Sequence, residues 1–248
     1  MKAVWVFDLD GTLVTSNIDY GDAVLDFTKL MLRTLEHKAP YYLDIIQLEQ
    51  GIDKERFKTM HADRRRFPGS LVEAYRELCR RAKIEIDPAV EQQVLAIGNS
   101  ALSEETYQNR SLIPGAEKVL EFLLRREGRI FCVTFGDDSV QWMKWRGYNL
   151  GRFFPSAEEF RVTETEDKYP ALNELRLLHP GIPALMVGDS IGSDIVPAVK
   201  AGYRPIFVLP PSVWDHGKLV KDIPPEATQL EEIVEIIGRC DELTKPTG

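Results

Sequence analysis

Apolar and polar positions follow two different rhythms along this chain. Val4-Trp5-Val6-Phe7 is an unbroken β-favouring run that meets Asp8-Leu9-Asp10-Gly11-Thr12, the pattern of a buried strand entering a loop. From about Asp19 to about Leu102 the spacing turns helical. Val24, Phe27, Met31 and Leu35 recur every three or four positions, and a helix from Tyr41 to Gln50 is expected to stop at Gly51. Leu71, Tyr75, Leu78 and Cys79 form another stripe, and Asp87-Pro88 gives an N-cap followed by proline at the first helical position. From Pro114 onward helices and strands alternate. The predicted helices are Ala116 to Arg126, Ser139 to Arg146, Pro170 to Leu178, Asp194 to Ala201 and a closing Leu230 to Gly238. The predicted strands are Ile130 to Phe135, Ala184 to Val187 and Arg204 to Leu209. Such alternation implies parallel βαβ units. The expected architecture is therefore an α/β protein: a parallel-sheet core of residues 1–15 and 112–248, carrying a helical module of residues 16–111 inserted after the first strand.

Composition narrows the function classes. The 248 residues include 31 Lys and Arg against 39 Asp and Glu, a net charge of −8, which argues against sequence-independent binding to nucleic acid. No apolar run approaches the roughly 20 residues of a membrane helix, and Met1 to Phe7 is too short an apolar start for a signal peptide. Cys79, Cys132 and Cys240 form neither a zinc pattern nor a disulfide framework. A reducing, cytoplasmic location is expected, with Cys132 as an inert thiol of an apolar strand.

Ligands of open parallel sheets bind beyond the carboxyl ends of the strands. Three predicted strands end there in compatible groups: Asp8 and Asp10 on the first, Thr134 on the second, and Asp189, with Asp194 five residues on, after the third. Asp8 and Asp10 stand at i and i+2, so an extended backbone points both the same way, and Gly11 lets the chain turn behind them. Clustered carboxylates raise one another's pKa unless something positive joins them. A hard divalent cation with oxygen ligands resolves this, and magnesium suits it by sharing a few carboxylates with a phosphate. Lys168 adds a fixed positive charge and Thr134 a neutral donor. This set describes a phosphoryl-transfer site, where positioning and charge neutralisation carry the catalysis.

Asp8-Leu9-Asp10-Gly11-Thr12-Leu13, Thr134 at a strand end, Lys168 before Tyr169-Pro170, and Gly188-Asp189-Ser190-Ile191-Gly192-Ser193-Asp194 resemble, in order, the four motifs of the haloacid dehalogenase-like hydrolases. Ile113-Pro114-Gly115 also resembles the small phosphatases of that family, and the helical insert resembles the cap of its phosphoglycolate phosphatase and β-phosphoglucomutase subclass. The resemblance implies a Rossmann-like core with an inserted cap that acts as a lid, and a phosphatase for a small phosphorylated metabolite. It implies Asp8 as nucleophile and Asp10 as the acid and then the base. Thr134 and Lys168 would bind the phosphoryl group, with Gly11 beside it, and Lys168 would also hold Asp8. Asp8, the Asp10 carbonyl and Asp189 would ligate Mg2+, supported by Asp194. Dehalogenases of the family lack the second carboxylate, so Asp10 speaks for an alcohol leaving group. The chain departs from the family where Phe135-Gly136 follows Thr134, a place often held by asparagine. Lys144 is the fallback for Lys168.

Alternatives remain. A phosphomutase would share the chemistry. A receiver domain also combines aspartates, threonine, lysine and magnesium, but is about half this length and needs no insert. A non-catalytic phosphate-binding relative would leave the intact acidic quartet without a reason. Arg64-Arg65-Arg66 reads as a solvated helix face, Asp137 and Asp138 as caps of the next helix, and Trp142 with Trp145 as a packing pair.

Overall fold

The structure is a computed structural model and describes residues 3–15, 17–126, 128–209 and 223–245. It divides into two compact units, one of residues 1–15, 110–136 and 148–248, the other of residues 16–109 and 137–147.

The first unit is built on a parallel sheet of six strands: β1 (Val4–Phe7), β2 (Arg129–Phe135), β3 (Phe160–Thr163), β4 (Ala184–Gly188), β5 (Arg204–Val208) and β6 (Thr228–Leu230), in the order β3-β2-β1-β4-β5-β6. The strands are short apolar runs because a parallel sheet is covered on both faces. Alternation sends Val4, Val6, Phe131, Val133, Ala184 and Met186 to one face, where they pack with Leu172 and Leu175 of a helix at Tyr169–Leu178 and Ala198 of a helix at Val196–Lys200. The intervening Trp5, Phe7, Ile130, Cys132, Leu185 and Val187 are buried as well. A helix at Ala116–Arg125 meets β2 and buries Ala116, Val119, Leu120 and Leu123, the i, i+3, i+4, i+7 set of one helical face.

The second unit is helical: α1 (Asn17–Leu35), α2 (Tyr42–Met60), α3 (Arg66–Ala82), α4 (Pro88–Ser100), α5 (Glu104–Gln108) and α7 (Asp138–Gly147), with α6 being the Ala116–Arg125 helix of the first unit. Its core joins Phe27 and Met31 of α1, Ile45 of α2, Phe67, Leu71, Tyr75 and Leu78 of α3, and Val94 of α4. Asp87 caps α4 as expected, its carboxylate accepting from the Ala89 N–H at 2.8 Å ahead of Pro88. Gly98 marks where α4 meets α3, since a Cβ there would lie 2.5 Å from Pro68 Cα. Asp137 caps α7, accepting from the N–H groups of Ser139 and Val140. Trp142 and Trp145 do stack edge to face, 5.4 Å apart.

Four local features differ from what the sequence pattern predicts. Gly51 does not end α2, which continues to Met60. A helical glycine costs about 1 kcal/mol relative to alanine, and the turns beyond it recover that through bonds from Asp53 and Arg56 to α3. The closing helix is displaced: Thr228–Leu230 adds to β5 as a strand, and the helix, α10, runs over Glu235–Leu243, burying Ile236, Cys240 and Leu243. Strand β3, whose residues alone look like loop, forms because it continues the ladder of β2. The predicted Asp194–Ala201 helix begins instead as a wide turn over Ile191–Ile195 before Val196–Lys200, here α9, with Tyr169–Leu178 as α8.

Candidate active site

Register places the chemistry. Phe7, the last residue of β1, pairs with Cys132 on one side and Val187 on the other, which sets a common level across the three strands. Asp8 is then one residue past that level, and Thr134 and Asp189 two residues past it. The Asp8 N–H donates to the Val187 carbonyl at 2.9 Å, holding the acid at the strand tip. Beyond it the chain doubles back: Gly11, at φ +90°, donates to the Val14 carbonyl at 2.8 Å, and Asp10 bridges to Val14. A side chain at Gly11 would also collide with the Asp189 carboxylate, so glycine is required there both for the turn and for the acid beside it.

Lys168 precedes α8, and its buried ammonium is hydrogen-bonded to Asp8 Oδ1 and, at 2.6 Å, to Asp194 Oδ1. The wide turn after β4 aims Asp194 inward, where its Oδ2 accepts from the Ser190 N–H at 3.0 Å. Gly188 leaves room for it, since a Cβ there would meet the Asp194 carboxylate. Asp189 accepts from the Thr12 hydroxyl at 3.0 Å. Oxygen atoms of Asp8, Asp189 and Asp194 all lie within 4.8 Å of one another. Thr134 is buried beside them on β2, and its hydroxyl has no hydrogen-bond partner.

The electrostatics follow from this crowding. Burial raises the Asp8 pKa well above the carboxylate range; Lys168 pulls it down while Asp194 and Asp189 push it further up. Burial and then Asp194 lift Asp189 to about 7, against the Thr12 hydrogen bond. Burial alone would lower Lys168, but Asp194 and Asp8 outweigh it and hold the ammonium charged. Three carboxylates thus face one ammonium, and the surplus negative charge, the three converging oxygens and the orphaned Thr134 hydroxyl fit a hard cation beside an anionic ligand.

Asp8, Asp189, Asp194, Lys168, Gly11 and Thr134 are therefore brought together, with the half-buried Asp10 two residues along from Asp8. Lys144 belongs to α7 of the helical unit. Thr12, Ser190 and Gly188 were not singled out in the sequence. Each stands inside a motif, but only the folded chain shows which carboxylate it serves.

A parallel Rossmann-type sheet with an acid cluster at its carboxyl edge defines a class, the α/β proteins that bind their ligands at such an edge. Family comparison places the chain within it: the family described as haloacid dehalogenase-like hydrolase matches residues 2–202, and the chain belongs to that family. No curated protein matches the sequence. Among solved structures, a haloacid dehalogenase-like family hydrolase from Xanthomonas campestris is similar at 20% identity and TM-score 0.70, over 98% of this chain and 92% of that one. A HAD-hydrolase from Bacillus subtilis, solved with magnesium bound, matches at 18% identity and TM-score 0.60, over 97% and 99%. A protein from Thermotoga maritima assigned as a β-phosphoglucomutase matches at 17% identity and TM-score 0.60, over 97% and 99%. Likeness at this level concerns the fold. No helix among the described residues is long and apolar enough to cross a membrane.

Proposed function

We propose that this hydrolase is a magnesium-dependent phosphatase that acts on a small phosphorylated metabolite through an aspartyl-phosphate on Asp8. The observation that carries the reading is the buried Lys168 ammonium shared by Asp8 and Asp194 next to the Asp189 carboxylate and the unpartnered Thr134 hydroxyl. Lys168 engages one oxygen of Asp8, leaving the other for phosphorus. An Asp8 oxygen attacks phosphorus, the bond from phosphorus to the alkoxy oxygen breaks, and Asp10 delivers its proton to the departing alcohol. Asp10, now ionised, takes a proton from water as that water attacks the same phosphorus, releasing phosphate and restoring the Asp8 carboxylate. Thr134 donates to a phosphoryl oxygen, and Lys168 neutralises the charge on the group and keeps Asp8 in line. Asp8, the Asp10 carbonyl and Asp189 would hold Mg2+, with Asp194 in support, and the ion would supply charge neutralisation for the phosphoryl oxygens. Asp10 supports this reading over dehalogenation, because an alcohol leaving group needs a proton and a halide does not.

The test is phosphate release from a panel of phosphorylated metabolites, with Mg2+, with chelator, and with Asp8→Asn as blank. The expected result is turnover that requires both Mg2+ and Asp8. An isomeric sugar phosphate in place of free phosphate would move the reading to a phosphomutase, and no release even from an activated aryl phosphate would overturn it.

A further inference from the structure

Helices α2 and α3 of the second unit are joined by a layer of polar groups that the proposed chemistry does not use. Glu49, Asp53 and Arg56 stand at i, i+4 and i+7 of α2, one stripe of the helix, and Arg66, Ser70 and Glu73 repeat that spacing on α3. Arg66 pairs with Asp53, its guanidinium 5.3 Å from the Phe57 ring centroid. Arg56 passes over Gly69, where a Cβ would strike its guanidinium, to donate to the Arg66 carbonyl at 3.2 Å and to Glu73 at 3.2 Å. Each cation of the layer therefore already has its carboxylate. Glu49 is left over, only 2% exposed, beside the same core that holds Ile45, Phe67 and Leu71.

The hydrogen bonds around Ser70 favour one state of that carboxyl. Ser70 Oγ lies 2.9 Å from Glu49 Oε1 and 2.7 Å from the Phe67 carbonyl oxygen. A hydroxyl has one proton, so it donates to only one of these oxygens. Both contacts become hydrogen bonds when Glu49 is protonated, donating to Ser70 Oγ while Ser70 donates to Phe67. With Glu49 ionised, one buried contact is left as two acceptors facing each other, which is unfavourable in a low-dielectric core.

We propose that Glu49 is a proton-dependent latch of the helical unit: protonated, it ties α2 to α3 through Ser70, and its ionisation loosens the two helices from each other. The charged groups acting on it are Asp53 on its own helix and Arg66 on α3, while from α1 the Tyr20 ring packs edge-on against Phe67 at 4.8 Å. Burial raises the Glu49 pKa to about 7; Ser70, when its hydroxyl turns to the carboxylate, and Arg66 pull it down, and Asp53 pushes it up. The folded value lies above the ordinary one, so the folded unit holds the extra proton, and the latch is complete in mildly acidic solution and released as pH rises through neutrality. The loop between α2 and α3 contains Arg64, whose N–H donates at 3.1 Å to Asp137, the cap of α7. Loosening α2 therefore reaches a loop bonded to α7 within the same unit.

The test is amide hydrogen exchange of α2 and α3 in the full chain at pH 6 and pH 8, corrected for the intrinsic pH dependence of exchange, in the wild type and in Glu49→Gln. The glutamine amide donates to Ser70 at both pH values. Exchange in the wild type is expected to rise about tenfold between the two pH values, with no rise in Glu49→Gln. An equal rise in both proteins would overturn the latch. A carboxyl-carbon NMR titration of the wild type tests it without any variant: a Glu49 midpoint in the ordinary carboxylate range would refute the proposal, and one near neutrality would support it.

Discussion

Lys168→Met separates the electrostatic role of this lysine from its bulk, because methionine keeps an apolar stem in a slot where the native side chain is only 2% exposed. The substitution leaves Asp8 and Asp194, both buried, without the ammonium that bonds them. Removing one partner of a buried ion pair costs about 3–5 kcal/mol, since the charge left behind is uncompensated. Here two carboxylates are stranded beside Asp189, so the loss should fall at the upper part of that range at pH 7.5. The sign with pH follows from the same crowding. Burial already raises Asp8 and Asp189, and Lys168 opposes that rise; without it both rise further above their unfolded values, so the folded chain takes up protons as pH falls and the variant regains stability toward pH 5. A cation bound only by the folded state acts in the same direction, by about 2.7 kcal/mol at a hundredfold excess over its Kd. Urea unfolding followed by circular dichroism, at both pH values and with and without Mg2+, reads all three effects. A loss below about 1 kcal/mol, or one that is equal at pH 5 and 7.5, would refute the account of Lys168 as counter-charge to a buried acid cluster.

Two further substitutions test the packing around these groups. Thr12→Val keeps the shape of the side chain and removes the hydroxyl that donates to Asp189. A hydrogen bond to a charged group is worth about 1.5–3 kcal/mol, so Mg2+ affinity in a calorimetric titration should fall about tenfold or more; an unchanged Kd would show that Thr12 does not hold the acid in place. Gly98→Ala should destabilise the helical unit by about 1–3 kcal/mol through overpacking against Pro68, despite the better helix propensity of alanine. A gain in stability would mean that α3 and α4 give way at that contact.

Much of the fold was legible before any coordinates. The strands β1 and β4 are short, wholly apolar runs, and β2 and β5 are mainly apolar after a leading arginine, as expected of strands in a sheet covered on both faces. The acids Asp8, Asp10, Asp189 and Asp194 could be read as a group because strand ends of a parallel sheet share one edge. Asp87-Pro88 announced α4 because capping is a local interaction, satisfied within three residues.

What the local pattern left open was decided by partners distant in sequence. β3 and β6 carry few apolar residues and are strands because β2 and β5 offer open edges to pair with. The passage of α2 through Gly51 depends on α3, which lies beyond the next loop. In the acid cluster, the resemblance paired Lys168 with Asp8, but that Asp194 shares the same ammonium, that Thr12 serves Asp189, and that Gly188 and Gly11 are the gaps the carboxylates occupy all depend on the folded chain. Glu49 reads in the sequence as one more charge on a polar helix. Only burial against Ser70, with every neighbouring cation already matched, makes it an acid that folds with its proton on. Charge and hydrophobic period belong to a residue and its near neighbours along the chain; desolvation and hydrogen-bond geometry belong to whatever the folded chain packs against it.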